Sequence, residues 1–266
     1  MEVDVLGPLV VRTHGVSLVP SAAKPRQVLA LLSANLGQHV SLGAIERELW
    51  DDSPPGGPAG VVQTYVKQLR RALSAALAPY GGPDAKTVLR RTHTGYLFEL
   101  PGADLDSQVF EQLTLRGQRA LARREPEEAA ALLDRALALW RGPVLADVRT
   151  GPVLESEVRR LDEVRRGALE RRTSAYLLLG RHAELIGELS VLTAHHPLQQ
   201  NLHALLILSL HRCGRSDEAL ETFRRLRASL TSELGIEPSQ QLQQLHRAIL
   251  NGDPALSSSA SDLAVF

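Results

Sequence analysis

The chain has a single cysteine, Cys213, in 266 residues. No intrachain disulfide can form, and such sparing use of cysteine fits a reducing compartment, so the expectation is a cytoplasmic protein. Net charge is also lacking: 30 Lys and Arg balance 30 Asp and Glu. Bulk electrostatics therefore gives no reason to expect a nucleic-acid or membrane partner, and any such case has to rest on local charge. No apolar run approaches the roughly 20 residues that a spanning helix needs. The opening MEVDVLGPLVV carries acids where a secretory leader would carry a basic stretch. Lys, Met and Phe are scarce beside Ala and Arg, a coding bias that says nothing of function.

Catalytic signatures are missing too. There is no G-x-x-x-x-G-K-[ST] phosphate loop, no H-E-x-x-H and no C-x-x-C. His195-His196 and the pair His203 and His211 are the only groupings that suggest a metal. Adjacent histidines on a helix diverge, and residues eight apart converge poorly, so packing or surface roles are expected instead. Asp and Glu are scattered, with no pair in an apolar setting. The expectation is a protein that is not an enzyme and has no metal and no cofactor.

What is present falls into two halves. In residues 1–100, VDVLGPLVVR and VSLVP flank the turn Thr13-His14-Gly15 as a hairpin would. Val28, Leu29, Leu31, Leu32 and Leu36 then repeat at helical spacing up to Gly37. Ser41 suits the N-cap of a second helix with Leu42, Ile45, Leu49 and Trp50 on one face. DDSPPGGPAG over 51–60 breaks regular structure. A third helix runs from about residue 61 to Ala78, and TVLRRTHTGYLFEL alternates like two strands joined at Thr94-Gly95. Residues 105–250 are Ala- and Leu-rich and read as helices throughout. GRHAEL at Gly180 and GRSDEAL at Gly214 stand 34 residues apart, the period of tetratricopeptide helix pairs. A degenerate earlier copy, REPEEAAALLDRALAL, starts near Arg124, and the insert WRGPVLADVRTGPVL follows it. The alternative is a helical bundle with a coincidental Gly-Arg pair. The Ser-rich tail, 253–266, is expected to be disordered.

The neutral total hides a polarised segment. Between residues 61 and 96 stand Lys67, Arg70, Arg71, Lys86, Arg90 and Arg91 against Asp84 alone. On a helical wheel Val62, Val66, Leu69 and Leu73 cluster, while Gln63, Thr64, Lys67, Gln68 and Arg71 cover the opposite arc with Arg70 at its edge. A basic helix face alone is usually just solvated. Here it follows a two-helix unit and precedes a basic hairpin, which is the layout of a winged helix-turn-helix, with the helix entering the major groove and the wing beside it. Gln can pair with adenine and Thr can touch a thymine methyl, while Lys and Arg suit phosphates.

At this point the residues resemble a known family. LLSANLGQHVSLGAIERELWDDSPPGGPAGVVQTYVKQLRRAL and TGYLFEL resemble the OmpR-like winged helix of the Streptomyces antibiotic regulatory proteins (SARPs). ALLDRALALWRGPVLADV, HHPLQQNLHALLILSLHRCGRSDEALETFRRLR and ELGIEPSQQLQQLHRAIL are similar to that family's bacterial transcriptional activation domain. The implied fold is mainly α with a small β component. It comprises a winged helix-turn-helix over 1–100, an all-α tetratricopeptide-like domain over 101–252, and the tail. The implied function is a transcription activator of antibiotic or other secondary-metabolite genes. It would bind tandem direct repeats in double-stranded promoter DNA near the −35 region, associate with itself there, and recruit RNA polymerase, notably its sigma subunit.

The resemblance also carries residues over. Gln63, Leu69, Arg70 and Arg71 match the family's recognition helix, whereas Lys67-Gln68 replace its usual Ser-Arg, which implies an altered base preference. With Thr64 these form the expected recognition set. Lys24 and Arg26 stand in the family's basic segment before the first helix and are expected to hold phosphates. Arg90, Arg91, His93 and Thr94 form the expected wing, with Arg91 and His93 as alternative minor-groove residues. In OmpR-like activators the loop before the recognition helix can face polymerase, so Asp51, Asp52 and Ser53 are expected there; a plain connector is the alternative. A different function class also stays open at this stage, a helical scaffold or ligand sensor whose basic helix meets an acidic protein partner.

Overall fold

The computed structural model describes residues 2–100, 102–253 and 256. The expected disordered tail lies almost wholly outside the described residues. Packing divides the chain into two compact units. One joins the chain up to Leu115 with Arg135–Gly167, and the other joins Arg116–Asp134 with the chain from Ala168 onward. The motif boundary near residue 100 and the packing boundary therefore fall at different places. Among the described residues no helix is long and apolar enough to cross a membrane.

In the first unit β1 (Glu2–Asp4), β2 (Val10–Thr13) and β3 (Val16–Ser17) form the expected hairpin, with His14 and Gly15 both at positive φ in its two-residue turn. A short parallel strand, β7 (Asp104–Leu105), pairs with β1 and completes the order β3-β2-β1-β7. Three helices follow the hairpin: α1 (Ala23–Ala34), α2 (Leu42–Trp50) and α3 (Pro58–Leu77). They pack on one another through Val28, Leu31, Leu32, Ile45, Leu49, Val62, Val66 and Leu69, all buried. Ser41 caps α2 as expected, its Oγ accepting from the Ala44 amide at 3.1 Å.

The second sheet, three-stranded, differs from the sequence expectation in two ways. The Asp84 carboxylate accepts from the Lys86 amide at 2.9 Å and starts a helical turn, α4 (Ala85–Val88). Strand β5 therefore begins only at Leu89 and runs to Arg91. Beyond the hairpin, β4 (His39–Ser41) pairs with β6 (Gly95–Phe98). A three-residue strand between a glycine and a helix cap is too short to show any periodicity.

The insert after the first repeat copy belongs to this unit. The backbone amides of Arg141 and Leu145 donate to Leu6 and Val5 carbonyls at 2.8 and 3.0 Å. The Val5 and Leu6 amides are taken by the two oxygens of Asp106, each at 2.8 Å, and the Leu9 amide by Asp147 at 2.7 Å. The backbone of the 5–9 loop is thus satisfied by the insert together with Asp106 of the following helix, as buried peptide groups must be. Trp140 meets Phe110 edge-on at 5.4 Å, and the Arg165 guanidinium lies 4.4 Å from its ring centre.

The second unit is helical. It draws on α5 (Asp106–Ala122), α6 (Pro126–Leu137) and α7 (Pro152–Leu178), which all straddle the packing division. It also holds α8 (His182–His195), α9 (Gln200–Arg212), α10 (Ser216–Leu234) and α11 (Gln240–Leu250). Leu185, Leu189, Leu205, Ile207, Phe223, Leu226 and Leu245 lie in its core. The repeat is visible at atomic detail. Gly180 and Gly214 both take a left-handed φ two residues past a helix end, where a glycine escapes the Cβ penalty. The arginine after each clamps the glutamate three residues on, Arg181 to Glu184 and Arg215 to Glu218. The degenerate copy puts Arg124 at the corresponding place after α5, with a left-handed φ of 61° and no glycine.

Candidate nucleic-acid interface

Helix α3 begins at Pro58, about three residues before the expected start and inside the 51–60 stretch expected to break regular structure. Gly57 turns the chain at φ 71°, and Pro58 occupies the first helical position, where a missing N–H costs nothing. Val62, Val66, Leu69, Leu73, Ala76 and Leu77 are buried, as the wheel implied. At about 1.5–3 kcal/mol for each large side chain, this face fixes which side of the helix points outward.

The opposite arc is exposed. Gln63, Thr64, Lys67, Gln68 and Arg71 all reach solvent. Thr64 returns its hydroxyl to the Gly60 carbonyl at 3.1 Å. Among the described residues Gln63, Lys67, Gln68 and Arg71 have no side-chain hydrogen bond or ion pair. Two amides and two cations therefore project from adjacent turns with their donors and acceptors unspent.

Arg70 is different. Its Nε and Nη2 both donate to the Leu89 carbonyl, at 3.0 and 2.7 Å. The guanidinium ties the middle of α3 to the first residue of β5, so the hairpin stands beside the helix. On that hairpin Arg90, Arg91, His93 and Thr94 are exposed. Arg90 and Arg91 point to opposite faces of the strand, and Arg90 pairs loosely with Glu99 at 3.6 Å. Thr94 anchors the tip, its carbonyl accepting from the Leu42 amide at 2.9 Å and its hydroxyl meeting His39 Nε2 at 3.2 Å. Arg91 and His93 carry no such contact among the described residues.

The two cations expected before the first helix are engaged within the protein. Lys24 Nζ donates to the Leu49 carbonyl at the end of α2. Burial, aided by the Arg149 charge, lowers the Lys24 pKa, and Glu48 works the other way. Arg26 Nε donates to the Pro20 carbonyl at 2.9 Å, and Nη1 reaches the Asp147 carbonyl at 3.1 Å and its carboxylate at 3.5 Å. Asp51, Asp52 and Ser53 are exposed, and Asp51 takes a φ of 54° where α2 ends.

One residue of consequence, Glu48, is not among those the sequence singles out. It is 1% exposed. Its carboxylate accepts from the backbone amides of Gly151, Val153 and Leu154 at 2.6, 3.0 and 2.9 Å, and from Gln27 Nε2 at 2.9 Å. An acid on the second helix of the motif thereby caps the N-terminus of α7, across 103 residues of sequence. Local spacing carries no signal for a cap supplied from so far away.

Known proteins resemble the chain along nearly its whole length. A family model described as "Transcriptional regulatory protein, C terminal" matches residues 17–98, and one described as "Bacterial transcriptional activator domain" matches residues 105–250. The chain is 45% identical to "Regulatory protein DnrI" of Streptomyces peucetius, over 99% of this chain and 97% of that protein. It is 34% identical to "Transcriptional regulator RedD" of Streptomyces coelicolor, over 96% of this chain and 72% of that one. A solved structure of Mycobacterium tuberculosis EmbR, in complex with a low-affinity phosphopeptide, superposes with a TM-score of 0.86 at 33% identity. That likeness covers 97% of this chain and 67% of that one.

Proposed function

Because the chain belongs to the Streptomyces antibiotic regulatory protein family of DNA-binding transcription activators, we propose that it binds tandem direct repeats in double-stranded promoter DNA near the −35 region and recruits RNA polymerase there. Its targets in this reading are genes of secondary-metabolite (antibiotic) biosynthesis, and its sigma-facing element is the exposed loop at Asp51, Asp52 and Ser53. The protein acts in the cytoplasm, on the nucleoid, where those promoters lie.

The observation that carries the proposal is the outer arc of α3. Gln63, Lys67, Gln68 and Arg71 are exposed and uncommitted on a helix whose other face is fully packed. In the major groove the two glutamines read base edges and the two cations hold phosphates. Arg91 and His93 of the wing lie over the neighbouring groove. Arg70 acts as a positioning residue in this reading, because its Nε–H and an Nη2–H donate to the Leu89 carbonyl. Lys24 and Arg26 contribute little direct phosphate contact, since each is held by carbonyl oxygens of its own chain.

A single copy reads a short site. Two copies on one duplex face gain affinity through effective concentration, so the spacing between repeats must respect the helical turn. Footprinting on promoters next to the gene, with fragments carrying a half-turn or a full-turn insertion between repeats, tests this. Paired protection that survives the full-turn insertion and is lost with the half-turn one is expected; protection indifferent to phase would defeat the tandem reading. Replacing 52–56, short of the Gly57–Pro58 start of α3, with a Gly/Ser linker should leave the footprint and lower transcription with purified polymerase, and unchanged transcription makes that loop a connector.

A further inference from the structure

Helix α2 ends with the carbonyls of Arg47, Glu48, Leu49 and Trp50 lacking partners inside the helix, as every helix end does. Each has a donor from elsewhere. The Asp51 amide reaches the Arg47 carbonyl at 2.9 Å, and the Ser53 amide the Trp50 carbonyl at 3.0 Å. The other two are served by α1. Gln27 Nε2 donates to the Glu48 carbonyl at 2.7 Å, and Lys24 Nζ to the Leu49 carbonyl. Lys24 and Gln27 stand one turn apart on α1, so one face of that helix closes the end of α2. The Lys24 charge also meets the negative end of the α2 dipole.

The turn that follows depends on this support. The Ser53-to-Trp50 bond closes a β-turn with Asp51 and Asp52 at its centre. Asp51 has φ 54° and ψ −118°, the first central position of a type II′ turn. Glycine takes that conformation freely, whereas an aspartate keeps it when its surroundings hold it there. The last turn of α2 is the upstream side of those surroundings, and Lys24 holds its Leu49 carbonyl. Without Lys24 that carbonyl loses its donor, the last turn frays, and Asp51 relaxes to negative φ. The exposed Asp51 and Asp52 side chains then lose their present directions.

We propose that Lys24 is a positioning residue for transcription activation: from α1 it fixes the Trp50–Ser53 turn in the form that meets polymerase, without itself touching DNA or polymerase. The inference rests on the reading that this loop faces polymerase. It gives a task to a cation that the sequence alone assigns to phosphate.

Two measurements on the full-length protein separate these roles: binding to the footprinted promoter fragment over a range of salt, and transcription from it with purified polymerase. Lys24→Met keeps the apolar stem and removes the donor and its charge. It should lower activated transcription about fivefold, within the range for one lost hydrogen bond, and leave DNA affinity within about twofold. Its salt slope should match the wild type, whereas a lost phosphate contact would make it shallower by about 0.9. Amide hydrogen exchange over 51–53 should quicken. In protein whose 52–56 segment is a Gly/Ser linker, Lys24→Met should lower transcription no further. Full transcription by Lys24→Met, a shallower slope, DNA binding weakened beyond that range, unchanged exchange, or an added loss in the linker protein would each overturn the proposal. A linker that itself leaves transcription intact strikes the polymerase reading and this inference with it. A linker that lowers transcription while Lys24→Met does not strikes this inference alone.

Discussion

The Glu48 carboxylate and the Gly151 amide meet at 2.6 Å, and through that contact the second helix of the DNA-binding motif holds the start of α7. The approach is so close that a Cβ at Gly151 would fall 2.0 Å from the Glu48 carbonyl oxygen. Three backbone donors of α7 are aimed at a buried carboxylate. Glu48→Gln would turn an amide N–H₂ toward them in place of an oxygen and cost about 3 kcal/mol, as expected for a buried charged acceptor lost to several donors. Gly151→Ala should be of similar or greater severity. Denaturant unfolding measures both, and a loss under about 0.5 kcal/mol for Glu48→Gln would show the cap to be dispensable.

Arg70, expected from the sequence as a DNA contact, donates twice to the Leu89 carbonyl, and we propose that it acts as a strut. Arg70→Ala removes two hydrogen bonds to the Leu89 carbonyl and should cost about 1–2 kcal/mol of stability. DNA affinity should fall with it, while the salt dependence of the remaining binding stays as in the wild type, because no phosphate contact is lost. A reduced salt slope would return Arg70 to the interface.

The left-handed Arg124 offers a stabilising change. Gly180 and Gly214 fill the corresponding places in the later repeats, and Arg124 is exposed. Arg124→Gly should raise stability by about 0.5–1 kcal/mol by relieving the Cβ penalty at φ > 0. Thermal unfolding reads the outcome, and a lower melting temperature would mean that the Arg124 side chain does more than its position requires.

Asp4 gives the first unit a pH signature. Burial first, then the neighbouring Asp106 charge, lift its pKa from 3.8 to about 6, against the pull of Arg141 at 3.5 Å; Glu2 adds to the rise. The folded state therefore holds a proton that the unfolded chain releases. Stability from this group is full below pH 4, is lost as pH rises from about 4 to about 6, and is flat above that. Asp106, raised in the same direction mainly by burial, adds to the trend. In Asp4→Asn the decline should shrink, so that the variant gains on the wild type as pH goes from 4 to 7. A constant difference between the two across that range would contradict the assignment.

Much of this was legible in the sequence because it is local. The buried stripe of α3, the Ser41 cap, the first hairpin and the 34-residue repeat each depend on residues within a few turns of one another. What escaped is non-local. Strands β4 and β7 are two or three residues long and exist only through their partners. Lys24, Arg26 and Arg70 are exposed-looking cations whose commitments are to backbone carbonyls, and a carbonyl leaves no trace in side-chain chemistry. Glu48, Asp106 and Asp147 serve amides between 100 and 138 residues away. Charge counting finds the polarised surface; it does not find which charges the fold has already used.

The central claim is that Lys67 and Arg71 on the outer arc of α3 are the uncommitted cations that meet phosphate. The most direct measurement is binding to a tandem-repeat promoter fragment over a range of salt, for the wild type and for the Lys67→Ala, Arg71→Ala double variant. Each phosphate contact contributes about 0.9 to the log–log slope, so the double variant should bind far more weakly and, where binding persists, show a slope shallower by about 1.8 per bound copy. Equal affinity and an unchanged slope in the double variant would contradict the account.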